Sequence, residues 1–299
     1  MYSNNYDTKI LILDIDETIG DFYNLYIIWR CLEKAVVKVF KSNNNKQTNS
    51  SFCSIGHTNN KLRQKHFNTL ININPNCLRP GLFSLLNFIK YIKKNKYVSG
   101  VYLYTNNQCG PKWITFIVNY LNNFVRIKLF DDVIGPYKIK NIITDSKRTM
   151  VEKSYIDVLN YLNMPITTKV CFIDNTFYPL MKHENVFYLN PMNYYNPYPI
   201  CIKTCITELL LHYNYKSIYD NKMMVYKYII YKYNNKILQT DVKQSCDLEI
   251  TSKKTQHQNN IRDNIGDVTD IKQSNDEIFM IHKIISKQIF IHLMNFFYP

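Results

Sequence analysis

The chain has 299 residues, 46% of them hydrophobic, which is enough apolar surface for a large core and excludes wholesale disorder. Its 37 Lys and Arg against 23 Asp and Glu leave a net charge of +14, so the surface attracts anions. The basic residues are scattered without a block of five like charges, which favours a solvated basic face; a nucleic-acid groove stays possible but is not favoured. The eight cysteines (Cys31, Cys53, Cys77, Cys109, Cys171, Cys201, Cys205, Cys246) form no CxxC pair and no zinc spacing. Dispersed thiols and a polar N-terminus without a signal-peptide run predict a cytoplasmic or nuclear setting.

The run KILILDID (9–16) reads as a short buried strand ending in carboxylates. Residues 21–40 carry Leu25, Ile28, Trp29, Leu32, Val36 and Phe40 at helical spacing, and 41–60 reads as a polar loop. A helix follows over 81–94, with Leu82, Leu85, Leu86, Ile89 and Ile92 on one side. Residues 98–104 form a second strand, and 111–122 a helix with Pro111 in its first turn. A short strand over 130–134, a helix over 151–162 and strands over 170–173 and 186–189 complete the alternation. That order predicts an α/β fold: a Rossmann-like three-layer sandwich around a central, mostly parallel sheet, with a C-terminal extension.

A helix over 201–212 is expected to close this domain, 1–212, into which a helical insertion of about 21–78 is set. Two β-rich runs around Asn234-Asn235 predict a hairpin-like appendage over 213–240. Residues 241–277 read as a flexible polar linker and 278–299 as an amphipathic helix, with His282, Lys283, Ser286 and Lys287 on one flank. Lys283 and Lys287 weigh against a membrane span; packing on the domain or peripheral membrane contact fits better.

The chemistry concentrates in Asp14-Ile15-Asp16-Glu17-Thr18, directly after the first strand. In an open α/β sheet, ligands sit beyond the carboxyl ends of the strands, so Asp14 is delivered there by backbone direction. The first carboxylate suits nucleophilic attack on phosphorus, and Asp16 suits protonation of the leaving oxygen and then activation of water. Carboxylates facing a dianionic phosphate need a hard cation, so Mg2+ is expected. Two further strands end in matching groups. VYLYTNN places Thr105 and Asn106 where they can hold phosphate oxygens, and VCFIDNT places Asp174 and Asn175 where oxygen ligands complete a metal shell with Asp14 and Asp16. Lys153, opening the helix KSYIDVLNYL, supplies balancing charge at the phosphate; Lys138, Lys140 and Lys147 compete for this role, and the spacing to Asp174 favours Lys153.

Taken singly, Thr105 is more often a capping residue, Asp174 a turn former and Lys153 a solvated side chain; the ordered set outweighs those readings. That set resembles the four motifs of the haloacid dehalogenase superfamily over roughly residues 8–200. The finer similarity is to its branch of phosphatases acting on the carboxy-terminal domain of RNA polymerase II, also called NLI-interacting-factor-like. Glu17 in DxDET, the segment Arg79-Pro80-Gly81 and the pair Asp174-Asn175 carry that finer match.

The resemblance implies a HAD-like sheet with Asp14's strand in the middle, flanked by those ending at Thr105 and Asp174. It also implies metal ligation through the Asp16 backbone carbonyl and a phosphorylated protein as substrate. Arg79 reads as a structural anchor of the turn before its helix. The long helix over 21–40 departs from the branch, which has short β segments there, and no obvious peptide-binding insertion separates the second and third motifs. Two alternatives stand beside a protein Ser/Thr phosphatase. One is a phosphatase of nucleotides, sugar phosphates or nucleic-acid 3′-phosphates; the other is a non-catalytic phosphatase-like binding protein. The prolines and tyrosines of 191–199 read as surface packing before they read as a peptide groove.

Overall fold

The computed structural model describes residues 8–43, 60–211, 226–232 and 268–298. In chain order the elements are β1 (Lys9–Leu13), α1 (Tyr23–Asn43), α2 (Asn60–Ile73), α3 (Leu82–Lys94), β2 (Gly100–Tyr104), α4 (Pro111–Val125) and β3 (Asp132–Ile134). There follow β4 (Lys138–Ile139), β5 (Ile142–Ile143), α5 (Tyr155–Leu162), β6 (Lys169–Ile173), β7 (Val186–Leu189), α6 (Ile202–Leu210) and, at the C-terminus, α7 (Val268–Phe297). Two compact units result. The first is built from described residues of 8–23, 76–198 and 277–298, the second from those of 24–75 and 199–276.

The first unit holds a five-stranded sheet in the order β3-β2-β1-β6-β7, parallel at every pairing. Ile10, Leu11, Ile12 and Leu13 are all fully buried, as an unbroken apolar strand covered on both faces must be. Leu13 is in register with Leu103 on one side and Ile173 on the other, so Asp14, Tyr104 and Asp174 leave the sheet at one level.

On one face α5 packs against Ile10, Ile12, Tyr104, Val170 and Phe172 through Tyr155, Val158 and Leu159. On the other face, α7 lies over β7, with Phe296 stacked on Phe187 at 5.5 Å, and meets α3 where Phe290 touches Phe88 at 4.7 Å. Helix α4 packs beside α3 through Phe83 and Phe124. Helices therefore cover the sheet on both sides.

Gly81 starts α3 at φ 84°, and a Cβ there would stand 3.0 Å from the Ser286 Cβ of α7. Glycine is required by both conformation and space. Gly81→Ala is expected to destabilise the protein by about 1–2 kcal/mol, read as a lowered unfolding midpoint; an unchanged midpoint would show that α7 does not constrain this turn.

In the second unit, α2 buries His66, Phe67, Leu70 and Ile71, and α6 buries Cys205, Ile206, Leu209 and Leu210. Asn74 Nδ2 lies 3.3 Å from Cys205 Sγ, and Arg63 of α2 pairs with Glu33 of α1 at 2.8 Å. Helix α6 thus packs on α2 within this unit, where the sequence places the 201–212 helix at the end of the sheet domain. Its apolar stripe shows that it must be covered, and not by what.

Two expectations for the C-terminal region are corrected. Residues 226–232, inside the expected hairpin, are helical, because a short apolar run has no period long enough to separate strand from helix. Helix α7 begins at Val268, so the tail of the expected linker is helical; no Gly or Pro interrupts the sequence from 268 to 297. The rest of 213–240, and 241–267, lies outside the described residues. Among the described residues no helix is long and apolar enough to cross a membrane.

Candidate active site at the carboxyl ends of β1, β2 and β6

The loop after β1 turns sharply enough to bring several side chains back over the sheet edge. Glu17 takes φ 58°, its N–H donates to Gly20 O at 2.8 Å, and Ile19 N–H donates to Ile15 O at 3.0 Å. The Thr18 hydroxyl lies 2.7 Å from Asn175 Oδ1 and 3.2 Å from Asp14 Oδ2, and accepts from Asn175 N–H at 3.1 Å. The loops after β1 and β6 are therefore stitched together at Thr18.

Lys153 stands just before α5, whose first turn is capped by the Ser154 hydroxyl accepting from Asp157 N–H at 3.1 Å. The buried Asp157 carboxylate also accepts from the Thr149 hydroxyl at 2.7 Å, bracing the segment that carries the lysine. The Lys153 ammonium is 1% exposed and spans Asp14 Oδ1 at 2.5 Å and Asp174 Oδ2 at 2.6 Å. Of the competing lysines, Lys138 is in β4, Lys140 is in the tight turn between β4 and β5 at φ 50°, and Lys147 lies over the Tyr161 ring.

Thr105 is fully buried at the end of β2, and its hydroxyl oxygen accepts from Asn107 N–H at 3.1 Å, which leaves its own proton to donate. Asn107 Nδ2 reaches both oxygens of Asp16, at 2.8 and 3.0 Å. Two bonded groups result at this edge: Asp14, Thr18, Lys153, Asp174 and Asn175 in one, and Asp16 with Thr105, through Asn107, in the other.

Asn106 departs from its expected role. Its Oδ1 accepts from Arg148 Nη1 at 2.8 Å and its Nδ2 lies 3.3 Å from the Tyr178 hydroxyl, so its amide braces the loop instead of facing a phosphate. Residue type alone does not show which of two adjacent amides reaches Asp16.

No protein-family model matches the chain, and no curated protein or solved structure matches it either.

The electrostatics of the cluster follow from burial and from one shortfall of positive charge. Burial and the neighbouring Asp14 push Asp16 up to about 7, against the stabilising amide of Asn107. Asp174 is also raised, by burial and by Asp14, although Lys153 opposes the shift. Burial alone would lower Lys153, but Asp14 and Asp174 more than reverse it and hold the ammonium charged. Three carboxylates thus share one ammonium.

Among the described residues no three His, Cys, Asp or Glu side chains form a metal-ligating group. The donors that are present, the Asp14 and Asp174 carboxylates and the Asn175 amide oxygen, are hard oxygens of the kind magnesium takes. Burial first, and then the neighbouring Asp14, raise Asp16 and Asp174; a divalent cation would favour the charged forms of these carboxylates, so the donor set fits one.

Two contributors escape a reading by motif, and a third was read only as a turn anchor. Arg148 is buried and donates to Asn106, Gly135 O and Val151 O, tying the β2 and β3 loops to the Lys153 segment. Asn107 orients Asp16. Arg79, read as a turn anchor, sends Nε to Thr18 O at 2.5 Å and Nη2 to Glu17 O and Met192 O, both at 2.7 Å. The segment Arg79-Pro80-Gly81 drew attention to Arg79 without naming its partners, and Arg148, set in the polar run TDSKRT (144–149), carries no local signal.

Proposed function

We propose that the chain is a magnesium-dependent phosphomonoester hydrolase of the haloacid dehalogenase type that works through an aspartyl-phosphate on Asp14. The observation that carries this reading is the Lys153 ammonium held between Asp14 and Asp174 at the ends of adjacent strands. A buried cation shared by two carboxylates is costly as mere architecture, and it suits a site that must gather a nucleophile and a phosphate dianion. The position of β1 between β2 and β6 adds support, because it is the arrangement that the motif resemblance implies.

The reaction follows from the side chains in turn. An Asp14 carboxylate oxygen bonds to phosphorus as the bond to the ester oxygen breaks, and the proton of Asp16 passes to that leaving oxygen. A water oxygen then bonds to phosphorus while its proton returns to Asp16. The bond from phosphorus to Asp14 breaks, releasing inorganic phosphate and restoring the carboxylate. Thr105 donates its free hydroxyl proton to a phosphate oxygen, and Lys153 offsets the charge gathered there. Asp14, Asp174 and Asn175, with the Asp16 carbonyl, would hold magnesium, which when bound polarises the phosphoryl group and neutralises its oxygens.

An acid raised to about 7 is about half protonated at neutral pH and can serve as the proton donor. With a phosphoserine substrate, whose leaving oxygen needs a proton, kcat/KM is expected to fall as pH rises through the pKa of Asp16 in the magnesium-loaded site. In Asp16→Asn this limb should vanish, and phosphorylated enzyme formed from an aryl phosphate should accumulate, visible by intact mass. A limb unchanged in Asp16→Asn would assign the proton to another group.

The Asp-Asn pair and Arg79-Pro80-Gly81 favour a phosphorylated Ser/Thr protein as substrate. The test is hydrolysis of an aryl phosphate with and without magnesium, followed by a panel of phosphopeptides, nucleotides, sugar phosphates and nucleic-acid 3′-phosphates. Activity confined to small phosphates would replace the protein substrate, and no turnover of any of them with magnesium would leave a binding protein.

A further inference from the structure

Arg79 reaches the catalytic loop from outside it. Its Nε and Nη2 donate to the carbonyls of Thr18 and Glu17, and its remaining nitrogen, Nη1, faces His282 Nδ1 of α7 at 3.2 Å. A guanidinium nitrogen can only donate, so Nδ1 accepts and the imidazole is neutral, with its proton on Nε2. Burial and the adjacent Arg79 charge hold His282 down to about 4, in keeping with that state. The ring is 3% exposed, and Tyr194 packs against it edge-on at 4.9 Å between centroids. Tyr194 N–H in turn donates to Glu17 O at 2.8 Å.

The loop has need of such a hold. Glu17 sits at φ 58°, a conformation that non-glycine residues rarely adopt, and its carbonyl is the acceptor for both Arg79 and Tyr194. Asp16 and Thr18, which flank it, carry the proposed acid and the link to Asn175.

We propose that the C-terminal helix α7 is a working part of the active site, with His282 as a positioning residue. It fixes the Arg79 guanidinium in the orientation that holds the Glu17 and Thr18 carbonyls, and through them Asp16. The catalytic consequence rests on the phosphatase reading; the hold on the loop does not. A residue that only filled space here would be served as well by leucine, whereas a positioning residue needs an acceptor at the place of Nδ1. Asparagine offers one there, and glutamine offers one further out.

The test uses the full chain as wild type, His282→Leu, His282→Asn and His282→Gln, with two readouts. Amide hydrogen exchange at Glu17 and Ile19 is expected to be about tenfold faster in His282→Leu and His282→Gln, with β6 amides unchanged, and to return to wild type in His282→Asn. With an aryl phosphate and magnesium, kcat should fall about tenfold in the same two variants while KM holds, and recover with asparagine. Equal loop exchange in wild type and His282→Leu would overturn the proposal. Should the leucine variant not fold, equal exchange in the asparagine and glutamine variants would overturn it as well. The exchange readout needs no turnover, so an inactive wild type would sink the phosphatase reading alone.

Discussion

Asp14→Asn is expected to lower magnesium-dependent hydrolysis of an aryl phosphate by about a thousandfold or more while leaving the protein folded. The substitution keeps the shape of the side chain and takes away its nucleophilic oxygen. Lys153 retains Asp174 as a charged partner at 2.6 Å, and one of three crowded carboxylates is neutralised, so nothing in the packing should give way. Steady-state rates, far-ultraviolet circular dichroism and intact mass after mixing with substrate together check this: no turnover, native secondary structure, no phosphorylated protein. An Asp14→Asn variant with more than a tenth of the wild-type rate would remove Asp14 as the nucleophile.

Lys153→Met should act on stability and activity together. Methionine keeps most of the stem, but the two carboxylates that the ammonium spans at 2.5 and 2.6 Å would face each other across a buried site. Breaking a buried pair from one side costs about 3–5 kcal/mol, because the remaining charge is uncompensated. Adding Asp174→Asn to Lys153→Met should recover part of that loss, since the amide removes the charge left behind. Denaturant unfolding of the two single variants and the double variant measures the coupling. Turnover should fall about a hundredfold in Lys153→Met, for want of its charge at the phosphate. If Lys153→Met unfolds at the wild-type midpoint, the carboxylates do not depend on it.

The parts of this site that the sequence made legible are those set by strand direction. Asp14, Thr105 and Asp174 each follow a short apolar run that its alternation with helices assigns to a buried strand, and parallel strands deliver their carboxyl ends to one edge. Spacing singled out Lys153, although it stands before its helix where a helical residue was expected, drawn inward by its two carboxylates. What was not legible lies in loops and in contacts between distant segments. Asn106 and Asn107 are the same residue type side by side, yet one braces Arg148 and the other orients Asp16. The hairpin of β4 and β5 turns on Lys140 and Asn141, both at positive φ, a turn chemistry that lysine does not advertise. The α7 helix was readable as apolar and helical, but 203 residues separate Arg79 from His282, and no local pattern reports such a pairing.

The middle place of β1 has a consequence for how the molecule is made. Its two neighbours in the sheet begin at residues 100 and 169 of 299, so β1 waits for about a third of the chain before one partner and more than half before the other. The helix that covers Phe187 and Phe88 emerges later still. A nascent chain stopped short of residue 277 would carry every acidic group of the site but leave Phe187 and Phe88 without the rings that cover them, a form suited to chaperone capture.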